Sequence, residues 1–152
     1  MIPTVREAMG TADIVFVGTV SATAQNNAWA TVSIEEVWKG PDLPAVFEVR
    51  GGPGGNTVTS VDRAFEVGTR YLFVPFGMED TFASDNSCSA TQPWDESLAA
   101  LRPADARGPI GGPPPAPAPF DLLGAVLPFG VALLVAGVLV AVGLVARSRR
   151  SD

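Results

Sequence analysis

The chain of 152 residues contains no histidine and one cysteine, Cys88. The commonest general base and the commonest metal ligand are therefore both missing, and a single thiol cannot build a zinc site of ordinary spacing. Carboxylates remain, as the adjacent pairs Glu35 with Glu36, Glu79 with Asp80, and Asp95 with Glu96. Neighbours on a strand point to opposite faces, and acids in a turn or at a helix start are solvated or dipole-matched charges. The run GGPGG at residues 51–55 lacks a following Lys-Ser/Thr and opens no helix, so it is not a phosphate cradle. Glu79, Asp80, Asp85 and Asn86 offer enough oxygens for calcium, but their spacing matches no calcium loop. The sequence reads as a non-enzyme that uses no metal and no small-molecule cofactor.

Charge narrows the partners. Residues 1–119 hold seven Lys/Arg against fourteen Asp/Glu. Nucleic-acid affinity depends on clustered cations that release counterions, so a nucleic-acid partner is not expected. The acidity itself needs no ligand, because it keeps a polar surface soluble.

Composition divides the chain into four parts. Residues 1–102 alternate apolar and polar runs with turn residues and read as an extracellular β-rich domain. Residues 103–119, PADARGPIGGPPPAPAP, are a Pro/Gly-rich stalk that favours extended conformations. Residues 120–146 read as a transmembrane helix, and residues 122–146 within them carry no charge. At about 1.5 Å per residue that stretch exceeds the roughly 30 Å hydrocarbon core of a bilayer. The tail, residues 147–152, carries Arg147, Arg149 and Arg150. By the positive-inside rule these arginines place the C-terminus in the cytoplasm and the N-terminal domain outside, in a single-pass cell-membrane protein. An exported domain needs a leader, and MIPTVREAMGTAD has no apolar core of the required length, so either the C-terminal helix itself directs insertion with the N-terminus translocated or, the favoured expectation, a segment lies upstream of Met1.

Within the domain, residues 13–24 place Ile14 and Phe16 on one face and Val15 and Val17 on the other, a strand buried on both sides. Gln25, Asn26 and Asn27 form a turn. Residues 28–40 then set Ala30, Val32 and Ile34 in phase and break phase at Glu35 and Glu36, which predicts a β-bulge. Further strands are expected at residues 46–50, 57–61 and 70–76, and a short helix at residues 93–101. The fold class is mainly β: a small five-stranded OB-like barrel with one short helix, followed by the single C-terminal transmembrane helix. Trp29 with Asn26 and Asn27 is the candidate binding surface, core packing being the other use of Trp29.

The phrases ADIVFVGTV (residues 12–20), VWKG (37–40), VGTRYLFV (67–74) and CSAT (88–91), in that order, resemble the netrin-like family that includes the tissue inhibitors of metalloproteinases, particularly its bacterial membrane-anchored members. The resemblance spans about residues 12–101. It implies an OB-type barrel and a protein-binding role at the cell surface, related to proteases. It also puts Cys88 where the family has the disulfide partner of an N-terminal cysteine. In the inhibitors a Cys-x-Cys at the mature N-terminus reaches the target's catalytic zinc, and no cysteine precedes Ala12 here. Three states of Cys88 stand open: a partner in an upstream segment, a free buried thiol, or an intermolecular bridge. Two functions stand open as well. One is a binding module for a surface or secreted protein; the other is a structural or accessory subunit of a membrane complex that assembles through its helix.

Overall fold

Runs of β-branched and aromatic residues form the backbone of the domain because such side chains pack well on a pleated surface. A computed structural model describes residues 4–112, and these form a mainly β fold with few helices. The expectations for residues 113–152, namely the rest of the stalk, the transmembrane helix and Arg147, Arg149 and Arg150, lie outside the described residues. No helix among the described residues is long and apolar enough to cross a membrane.

After helix α1 (Val5–Thr11) come strands β1 (Val15–Ala24), β2 (Trp29–Lys39), β3 (Val46–Arg50), β4 (Arg70–Phe73), β5 (Gly77–Met78), β6 (Phe82–Ser84) and β7 (Gln92–Pro93), then a 3-10 turn at Glu96–Leu101. The strands make one curled half-barrel sheet in the order β5-β6-β3-β2-β1-β4-β7. All pairings are antiparallel except β3 with β6. Only Val74, Pro75 and Phe76 separate β4 from β5, so the chain itself links the two sides of the curl.

The strand count differs from the five expected. Residues 57–61 are not a strand: Val58 is exposed, and Thr59 donates from its amide and hydroxyl to the Asp62 carboxylate, closing a turn instead. The additional strands β5, β6 and β7 are two or three residues long. The expected helix at residues 93–101 is the 3-10 turn, with Asp95 accepting from the Ser97 amide at its start. Part of the expected stalk lies against the domain. Arg107 bridges to Val37, and the Ile110 amide donates to the Leu43 carbonyl.

The expected bulge is present. Val17 stands opposite Glu36 while Gly18 stands opposite Ile34, so Glu35 is the extra residue of β2. Gly18 permits this close approach: a Cβ there would lie 2.6 Å from the Ser33 carbonyl oxygen. Both acids of the pair then find separate partners. Glu35 accepts from Thr19 Oγ1 (2.8 Å) and Arg70 Nε (2.7 Å), whereas Glu36 accepts from Trp38 Nε1 (2.8 Å) and Arg102 Nε (2.8 Å).

Strand β1 is buried on both faces, as its sequence implies. Its inner face joins Phe16 and Val20 to Val32, Ile34, Phe47, Val49, Phe65 and Phe73 inside the curl. Its outer face, with Val15 and Val17, packs with Leu72, Leu98 and Trp38 beneath α1 and the 3-10 turn. Those two elements cover the β1–β4 part of the outer face. Among the described residues the β2–β3–β6 part carries no such lid, and Trp29, Arg50 and Phe82 are only half-buried there.

Candidate functional site

On β3, Phe47 and Val49 point into the curl, so Glu48 and Arg50 must point outward. Register places Trp29 opposite Arg50 on one side, and Phe82 beside Glu48 on the other. Arg50 therefore stands between two aromatic rings. Its Cζ lies 4.2 Å from the Trp29 ring centroid and 3.8 Å from the Phe82 centroid. Guanidinium planes are attracted to aromatic faces at such distances, and the pairing holds the arginine in one orientation. Glu48 Oε1 fixes it further by accepting from Arg50 Nε at 2.6 Å.

This stack forms one wall of an open cleft of about 380 Å³. Gly51, Gly52 and Pro53 line the cleft beside Trp29, whose Nε1 donates to the Gly52 carbonyl at 3.0 Å. Gly54 is required there on two counts. Its φ is +74°, and a Cβ would lie 2.8 Å from the indole. The far rim is apolar: Val61 and Phe76 line the cleft while remaining 38% and 62% exposed. Isolated exposed apolar residues are common, but two of them flanking an aromatic–arginine stack in one concavity form a contact surface.

Asp85 and Asn86 complete the lining. Asp85 is 2% exposed, and its Oδ1 accepts from the Asn86 amide at 2.9 Å. Arg63 Nε lies 3.1 Å from Asp85 Oδ2, yet it donates to the Asn86 carbonyl (3.2 Å). The contact is thus an ion pair without a hydrogen bond, and Oδ2 has no hydrogen-bond partner among the described residues. Burial pushes the Asp85 carboxyl above its ordinary range, and this outweighs the Ser89 hydroxyl and the Arg63 charge, which pull it down. Arg63 Nη2 also donates to the Asn86 and Ser89 carbonyls (2.8 and 3.3 Å), so one arginine ties down the loop that carries the cleft's third wall.

Of the residues expected to form a binding surface, Trp29 lines this cleft; Asn26 and Asn27 do not. Both asparagines are exposed on the β1–β2 turn, where Gln25, Asn26 and Asn27 all have positive φ. Their roles there are local. Asn27 Oδ1 accepts from Thr23 Oγ1 (2.7 Å), its carbonyl accepts from the Phe65 amide, and Gln25 Oε1 accepts from the Gly55 amide. Cys88 is free and exposed, which overturns the buried-thiol alternative. Its amide donates to Asn86 Oδ1 in a turn at the surface.

No protein-family model and no curated protein matches the sequence. The site must speak through its own chemistry. The calcium candidates are not assembled: Asp85 is committed to Arg63, and the Glu79 amide donates to the Phe82 carbonyl within the β5–β6 turn. Among the described residues no group of three His, Cys, Asp or Glu is placed to hold a metal ion. What the cleft offers is an aromatic and apolar surface with one oriented guanidinium.

Proposed function

We propose that residues 4–112 form a protein-binding module that engages a surface or secreted partner through the Trp29–Arg50–Phe82 cleft. The single observation that carries this reading is the pair of exposed apolar side chains, Val61 and Phe76, on the rim of a concavity whose wall is an aromatic–arginine stack. Trp and Arg are the residue types that most often dominate binding energy at protein interfaces, and a rigid stack presents them at little entropic cost.

The same reading gives the domain an OB-type, netrin-like architecture. Its support is the topology: a β1–β2–β3 meander, β6 parallel to β3, and an interrupted β4–β5 segment that pairs with β1 at one end and β6 at the other. Five strands so connected suit a small, partly open barrel. The membrane anchor rests on the sequence alone, through the uncharged residues 122–146 and the three arginines that follow them.

Two experiments in intact cells expressing the full chain test this. With a photo-crosslinking side chain in place of Phe76, irradiation is expected to give one discrete protein adduct, absent when the same group replaces Glu96 on the 3-10 turn. Equal adducts at both positions, or none at position 76, defeats the binding reading. Protease added outside the cells is expected to remove the N-terminal domain; full protection would refute the outward orientation.

A further inference from the structure

We infer that the cleft recognises a carboxylate on an otherwise apolar peptide segment, and that Arg50 receives it; this rests on the protein-binding reading above.

Each carboxylate near the cleft already has a partner. Asp62 accepts from the Thr59 amide and hydroxyl, Asp85 sits against Arg63, and Glu48 meets Arg50 only at Nε. Arg50 is different. A guanidinium has five N–H donors, and the hydrogen bond Arg50 makes among the described residues spends one of them. Its side chain is 33% exposed and lines the cleft. Trp29 on β2 and Phe82 on β6 flank it, with Cζ 4.2 and 3.8 Å from the two ring centroids. The donors that Glu48 does not take are what a carboxylate needs for a forked, charge-assisted pair.

The remaining lining selects what accompanies the carboxylate. Val61, Phe76 and Pro53 are apolar and partly open, so a neighbouring aliphatic or aromatic side chain of the partner has a surface to cover. The net charge of the chain is −6, and distant electrostatics therefore oppose an acidic segment. Attraction has to arise at short range, from the oriented fork and apolar contact together. Inorganic anions, which bring charge without apolar area, lack half of that match.

The test uses the purified full chain in detergent micelles, with tryptophan fluorescence as the readout, since Trp29 lines the cleft. The probes are a blocked hexapeptide of alternating leucine and aspartate, the same peptide with asparagine for aspartate, and inorganic sulfate. The acidic peptide is expected to bind at least ten-fold more tightly than its amide counterpart, with sulfate giving no saturable change. R50Q is expected to erase the difference between the two peptides, and R50K to keep part of it, because a point charge replaces the fork. A thermal melt of each variant shows whether the stack's loss has unfolded the domain, and R50K serves if R50Q has. Equal binding of both peptides by the unaltered protein, or an undiminished preference in R50Q, overturns the inference. If the peptides fail while the adduct from position 76 persists, the binding module stands and only the carboxylate specificity falls. If the adduct fails too, both fall.

Discussion

Phe16→Ala is expected to lower the stability of the domain by about 3–5 kcal/mol. Phe16 is fully buried on the central strand β1, opposite Phe73 on β4 and Val37 on β2. Its ring stacks on Phe73 with centroids 4.8 Å apart and meets Phe47 edge-on at 6.3 Å. Truncation removes both aromatic pairs and opens a cavity between strands that are hydrogen-bonded on either side, so the walls cannot collapse to fill it. A domain of this size is stable by about 5–15 kcal/mol, so the loss is roughly a fifth or more of the total. Phe76→Ala removes the same ring from a 62% exposed position and is expected to change stability by no more than about 0.5 kcal/mol. The three tryptophans, Trp29, Trp38 and Trp94, all lie in the described residues, so the thermal midpoint read by tryptophan fluorescence of the full chain reports on this domain. Near-equal midpoints for the two alanine variants would mean that the inner face of β1 is not where the core lies.

Position in the sheet also decides what could be read from sequence. The long strands β1 and β2 are legible because their side chains alternate over ten residues or more, and the double burial of β1 shows as apolar residues in both phases. The bulge is legible because Glu35 and Glu36 interrupt that alternation at one point. By contrast, β5, β6 and β7 are too short for any period to register, and apart from the local β5–β6 pair, β6 and β7 find their partners in β3 and β4, distant in the chain. Helix α1 is hard to read because it is only seven residues long and its apolar stripe, Val5, Ala8 and Met9, is half-buried against the outer core. Its signal was a cap: Thr4 and Glu7 form a reciprocal capping box, and the T-x-x-E spacing stands in the sequence. The site divides in the same way. Trp29 is an aromatic beside a turn and can be singled out from sequence, whereas Arg50 is merely a charged strand end before glycines. Its role appears only when β6 brings Phe82 alongside β3.

The buried ion pair beneath the cleft makes a second prediction of comparable size, with a definite pH dependence. Arg63→Ala is expected to cost about 3–5 kcal/mol at neutral pH, because the Asp85 carboxyl, with no exposed side-chain surface, loses the charge it sits against. The loop of residues 86–89 loses its anchoring donors in the same step. Burial already holds the folded Asp85 carboxyl above its ordinary value of 3.8, so the folded state binds this proton more tightly than the unfolded state. Stability from this group therefore falls as pH rises from about the ordinary value through the raised folded one, and the penalty is fully relieved below both. Removing the Arg63 charge raises the folded value further, which widens that window upward. Acidification from pH 7 towards pH 4 should then recover much of what Arg63→Ala loses, whereas Asp85→Asn, which cannot titrate, should show no such recovery. The exposed Glu36 pair runs the opposite way: hydrogen bonding to Arg102 holds its carboxyl below the usual range, so its contribution is present at neutral pH and lost as pH falls. Measuring the fluorescence midpoint of the three proteins across this range separates the cases. An Arg63→Ala deficit that stays constant from pH 7 to pH 4 would show that the lost loop anchors, and not the stranded carboxylate, account for the damage.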